Sequence, residues 1–148
     1  MVAGPLVTLA LIFCPPAEAA CFQVIVNASN TFSEDKVTMK RFIKRLYLRQ
    51  QTIWPNAQES TPFGRPANSP IYQAFVENVL GMTREELNYH WKRLKQTTGE
   101  TPPRAVEAVR MLLRQVSKKK GAFSVMGADE ARKIPAKVRI LFKFCANE

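Results

Sequence analysis
Hydrophobic and polar positions along this chain switch between a period of two and a period near 3.6, and the switches divide it into elements. Cys21-Phe-Gln-Val-Ile-Val26 is an apolar, β-branched run of strand length, stopped by Asn27-Ala-Ser-Asn30. From there the period lengthens. Met39, Phe42, Ile43 and Leu46 share one helical face, Lys40, Arg41, Lys44 and Arg45 the other, and Thr38 is placed to cap the helix. Ile53-Trp54-Pro55-Asn56 reads as a turn with Trp54 as a packing residue, and Ser60–Phe63 as a short strand. Ser69 is an N-cap and Pro70 a first helical residue, followed by Tyr72, Phe75, Val76 and Val79 on one face and by Gly81 as the stop. Thr83-Arg-Glu-Glu86 forms a capping box for a helix in which Leu87, Trp91 and Leu94 face inward, with His90 as a structural residue at the margin.

The C-terminal third follows the same logic. Thr101 before Pro102 predicts a further helix start, with Val106, Val109, Leu112, Leu113 and Val116 on its buried side. Lys118, Lys119 and Lys120 fall in the last turn, and Gly121 is its expected end. Ala122–Met126 reads as a strand, Ala128–Lys133 as a short helical turn, and Val138–Phe144 as a closing strand with Val138, Ile140, Phe142 and Phe144 on one face. Strands alternating with helices indicate a layered α/β domain with a mixed or parallel sheet.

Length and charge refine this picture. The chain has 148 residues, enough for one domain with a proper core. Residues 1–19 read differently from the rest: an apolar run from Pro5 to Phe13, then Ala17-Glu-Ala19, the small-residue pattern of a cleaved secretory signal. The expected organisation is a signal peptide over 1–19 and a single domain over 20–148, exported to the periplasm or secreted. Removing the leader takes one acid, Glu18, and no Lys or Arg, leaving 22 basic and 11 acidic residues. That surplus favours acidic partners, but the basic residues are spread among helical apolar positions without the arginine-and-aromatic texture of a nucleic-acid reader, so nucleic acid is not the expected partner. Cys14 leaves with the leader. Cys21 and Cys145 stand at the two ends of the remaining chain and are expected to close as a disulfide in an oxidising compartment, two buried free thiols being the alternative.

One stretch carries a chemical argument. In Phe63-Gly-Arg-Pro-Ala-Asn-Ser69 a short strand ends, an arginine follows, and a helix begins abruptly. A helix start leaves free N–H groups and a positive dipole end. With the Arg65 guanidinium and the Ser69 hydroxyl, the loop is a candidate cradle for an oxyanion. No metal cluster, acid/base pair or activated nucleophile accompanies it. The expectation is a binding protein without a cofactor, not an enzyme.

Several segments together resemble the phosphate-binding proteins of ABC importers, and more closely the short, single-lobe members of the periplasmic-binding-protein-like superfamily. The residues concerned are Val24-Ile-Val-Asn27, Leu46-Tyr-Leu-Arg49, Thr52-Ile-Trp-Pro-Asn56, Gly64-Arg-Pro-Ala-Asn-Ser69 with Phe75, and Gly121-Ala-Phe-Ser-Val125. The resemblance implies one lobe of such a receptor, a mixed sheet flanked by helices in three layers. It also implies phosphate or a related oxyanion at Arg65, Asn68 and Ser69, with the amides of Ile71 and Tyr72 belonging to the helix terminus. Arg49 stands where the family prefers glycine, which predicts a turn that either differs or is strained. Pro70 removes one N–H donor from the helix start. A single open lobe leaves its anion half in solvent, so affinity is expected to be millimolar at best, about 4 kcal/mol. The alternative function is an interaction module that kept the lobe and lost the ligand, docking a membrane transporter, a sensor or a second copy of itself.

Overall fold
The computed structural model describes Gly4, residues 11–14 and residues 20–146. Most of the expected leader therefore lies outside the described residues. The remaining chain runs β1 (Cys21–Asn27), α1 (Lys36–Tyr47), β2 (Thr61–Pro62), α2 (Pro70–Phe75), a π-helical turn (Val76–Leu80), α3 (Arg84–Thr98), α4 (Val109–Lys118), β3 (Ala122–Gly127) and β4 (Val138–Cys145). The four strands form one mixed sheet in the order β2-β3-β1-β4. β1 is antiparallel to both β3 and β4, and β2 is parallel to β3.

Strand alternation sorts side chains to the two faces of this sheet. Phe22, Val24 and Val26 of β1, with Phe123 and Val125 of β3, enter a core shared with α1, α2, the π-turn and α3. Ile25, Ala122 and Met126 point the other way, onto Leu112, Leu113 and Val116 of α4. The result is three layers, helices on both faces of a mixed sheet, as expected. Large side chains buried on each face, among them Trp54, Ile43, Leu80 and Leu112, supply most of the stabilisation at ~25 cal/mol per Å² of apolar area.

Local signals for element ends mostly hold. Ser69 accepts the Tyr72 N–H, Pro70 follows it at the helix start, and Gly81 ends the helix at φ 60°. Thr83 and Glu86 make the reciprocal capping box, and His90 bonds the Leu48 carbonyl at 2.9 Å as a structural residue. Arg49 occupies the left-handed region at φ 59°, as its place in the turn implied, and Ala57 does the same at φ 66°. Cys21 and Cys145 face each other across β1 and β4 and form a disulfide with 4.0 Å between Cα atoms.

Five local expectations are corrected. Asp35, not Thr38, caps α1: its carboxylate accepts the Thr38 N–H at 3.0 Å and the Thr38 hydroxyl at 2.6 Å. These bonds hold the Asp35 carboxyl below its ordinary range. Thr101 opens no helix, because α4 begins only at Val109. The intervening chain runs extended beside Gly64, whose carbonyl takes the Val106 N–H at 2.9 Å. α4 ends at Lys118, so Lys119 and Lys120 lie beyond its last turn and Gly121 does not close it; at Gly121 a Cβ would sit 1.7 Å from the Glu59 carbonyl oxygen. Residues 128–133 form turns rather than a helix. In β4 a register shift between Val24 and Ile25 of its partner inserts one extra residue. Val138 and Ile140 consequently pack with the α4 side, while Phe142 and Phe144 pack with the opposite core.

Candidate functional site
Position follows from strand pairing. β2 and β3 run parallel, so the loops leaving their C-terminal ends emerge side by side: Gly64-Arg65 from one, Gly127 to Glu130 from the other. The ladder continues past β2, with Phe63 N–H donating to the Phe123 carbonyl at 2.9 Å and the Ser124 hydroxyl donating to the Phe63 carbonyl at 2.8 Å. Gly64 then pairs with the extended 104–106 segment. Its missing side chain lets Pro103 and the Tyr47 hydroxyl approach, since a Cβ would lie 3.2 Å and 3.3 Å from them.

Arg65 is carried inward by this arrangement and is only 4% exposed. Its two terminal nitrogens meet the Glu130 carboxylate as a fork, Nη1 to Oε2 at 3.0 Å and Nη2 to Oε1 at 2.5 Å. Nη1 also donates to the Val125 carbonyl at 3.2 Å and Nη2 to the Glu107 carbonyl at 2.9 Å. Glu130 is held in turn by the Gly127 N–H at 3.0 Å. All the donors on the two terminal nitrogens are thereby engaged, leaving only Nε–H, which is buried without a partner.

Of the other predicted residues, Tyr72 shares a cavity with Arg65, while Asn68, Ser69 and Ile71 do not line it. The Ser69 hydroxyl donates to the Pro66 carbonyl at 2.6 Å and accepts the Tyr72 N–H at 3.2 Å. Asn68 is exposed beside it. Ile71 packs its side chain against the main core. The Tyr72 ring lies under the Arg84 guanidinium, 5.8 Å from its centroid. Arg65, Tyr72, Tyr47, Asn88, Trp91 and Pro103 help line a cavity of about 270 Å³. Burial pushes the Tyr47 phenol above its ordinary range, reinforced by Tyr72. Burial raises Tyr72 as well, against an opposing influence of Arg84. Both phenols therefore remain neutral donors at physiological pH.

Chemically, the cavity offers the phenols of Tyr47 and Tyr72 to an acceptor-rich ligand, beside an arginine whose charge Glu130 balances and whose Nε–H is shut away from solvent. Glu130 was not foreseen from sequence. The one available signal was topological: parallel neighbouring strands bring their exit loops together, and Glu130 follows β3 as Arg65 follows β2.

No protein-family profile and no curated protein sequence matches the chain. Among solved structures it is similar to an ABC-type phosphate transport receptor from Vibrio cholerae, at 16% identity and a TM-score of 0.58, over 82% of this chain and 46% of that one. It is also similar to PstS from Borrelia burgdorferi, at 14% identity and a TM-score of 0.58, over 83% and 47% of the two chains. A possible phosphate binding protein from Planctomyces limnophilus DSM 3776 gives 15% identity and a TM-score of 0.52, over 83% and 42%. The fold is that of one lobe of a periplasmic-binding-protein-like receptor. The lobe spans less than half the length of each of these receptors.

Proposed function
We propose that this lobe is exported and acts through protein contact, as an accessory of a transporter or sensor or as a partner of its own copies, and that it does not carry free phosphate as a receptor does. The reading rests on one observation: the Glu130 carboxylate forks onto the Arg65 terminal nitrogens that an oxyanion would need. An incoming phosphate has to displace a tethered anion that pays no translational entropy to bind. The role is binding without catalysis.

A second reading has its own support. Arg65 lines the 270 Å³ cavity with Tyr47 and Tyr72, two residues that carry hydroxyl donors. On that reading phosphate, or a related oxyanion, enters weakly at Arg65, Asn68, Ser69, Ile71 and Tyr72 when Glu130 turns aside. Titrating the protein with phosphate while following backbone amide shifts separates the two. The contact reading expects no saturable shift around Arg65 below tens of millimolar, on the order of 2 kcal/mol of affinity. Saturation below about 10 mM that disappears in Arg65→Ala overturns it and establishes the second.

A further inference from the structure
The α4 side of the sheet carries a feature that the Arg65 loop does not account for. Arg110, Arg114 and Lys118 follow one another at i, i+4 and i+8 along α4 and are all exposed. The loop leading into β4 brings Lys133 and Lys137 against the same flank, and Lys120 joins them beyond the helix end. Two clefts that meet at Ser117, of about 580 Å³ and 460 Å³, are lined by these six cations. No carboxylate lines either cleft, and among the described residues none of the six makes an ion pair. Like charges one turn apart on a helix oppose its formation. Lys118 is favourably placed at the helix C-terminus, but the repulsion among the neighbouring cations remains, and an anionic occupant relieves it.

The walls narrow the class of occupant. The floor of the larger cleft is apolar, built by Val109, Leu113, Ala131 and Pro135 between the cationic rims. A bare anion leaves that floor wet. A single nucleic-acid strand needs stacking platforms, and neither cleft has an aromatic lining residue. A membrane surface calls for protruding apolar groups rather than a concave floor. An acidic polypeptide segment satisfies both parts, its carboxylates on the rims and an apolar side chain on the floor. We propose that the α4 groove is a docking site for an acidic, intermittently apolar segment of a partner protein. This names a partner chemistry for the contact role proposed above. It is read by peptide binding, not by phosphate titration, so either claim fails without taking the other with it.

The test uses a fluorescent peptide of about twelve residues repeating Glu-Glu-Leu, ~40 Å when extended, and measures anisotropy against the folded wild-type protein at low and physiological salt. Two double charge reversals are compared: Arg114→Glu with Lys133→Glu in the groove, and Arg41→Glu with Arg45→Glu on the exposed face of α1, which change net charge equally. The expected result is saturable binding that weakens at least ~10-fold in the groove pair and less than ~2-fold in the α1 pair. Four outcomes overturn the proposal: no binding to wild type at low salt, equal loss in both pairs, equal affinity for an all-Glu peptide, or tighter binding to a thymidine oligonucleotide or to phosphatidylcholine vesicles carrying phosphatidylglycerol.

Discussion
Replacing Glu130 by Ala isolates the interaction on which the reading of this lobe depends. It leaves the Arg65 guanidinium, 3% exposed in its side chain, without its counter-charge. Breaking a buried ion pair from one side costs about 3–5 kcal/mol. Two features reduce that here: the Glu130 side chain is 22% exposed, and the Val125 and Glu107 carbonyls continue to accept from Arg65. We therefore expect a loss of about 2–3 kcal/mol, which lowers a urea midpoint by roughly 1–1.5 M at an m-value near 2 kcal/mol/M. Trp54 and Trp91, both buried, supply a fluorescence signal. The double variant Arg65→Met, Glu130→Ala should lose at least about 1 kcal/mol less than the sum of the singles, because an orphaned charge is no longer left behind. Phosphate supplies a second readout. If it takes the vacated place with a dissociation constant near 5 mM, ~50 mM phosphate restores about 1.4 kcal/mol to Glu130→Ala and nothing comparable to wild type. Strict additivity of the two substitutions, or a Glu130→Ala loss under about 0.5 kcal/mol, refutes the argument: the fork would then contribute nothing in solution.

Three further outcomes follow from the fold. The disulfide closes 124 residues of sequence separation, so Cys21→Ala with Cys145→Ala should lose up to about 5 kcal/mol through the entropy of the unfolded chain, measured by urea midpoint; a loss below ~1 kcal/mol contradicts this. Gly121→Ala forces a Cβ to 1.7 Å from the Glu59 carbonyl oxygen while the Gly121 carbonyl accepts from Thr61 and from the Trp54 indole, so the variant should lose more than about 3 kcal/mol or not fold, and near-wild-type thermal melting rules the contact out. Ala57→Gly relieves a non-glycine residue at φ 66° on the surface, and net of the added unfolded-state freedom should gain up to about 1 kcal/mol by urea midpoint; a destabilised variant shows that the turn is unstrained.

What the amino-acid order determined by itself lies within short reach along the chain. The Ser69 cap, the Thr83–Glu86 box and the Gly81 stop each close a hydrogen bond or a dihedral demand within a few residues, so composition at fixed offsets was enough to place them. The apolar run of β1 marked a strand and helical periodicity in α1 assigned its buried face, and the alternation of such strands and helices indicated the layered α/β architecture. The pairing of Cys21 with Cys145 was anticipated from their places beside the terminal strands and was fixed by the β1–β4 register.

Tertiary structure decided whatever depends on which distant backbones become neighbours. The 101–108 segment reads locally as a capped helix start, yet Gly64 draws it alongside as extended chain, because a backbone hydrogen bond to Val106 outweighs a weak local preference. One inserted residue in β4 turned Phe142 and Phe144 to the face opposite Val138, a reversal that a strict period of two cannot reveal. Above all, Arg65 and Glu130 stand 65 positions apart and meet only because β2 and β3 run parallel. Each charge is ordinary by itself along the chain. Their convergence in a low-dielectric interior turns a candidate anion cradle into a site that already holds one, and no local pattern encodes that proximity.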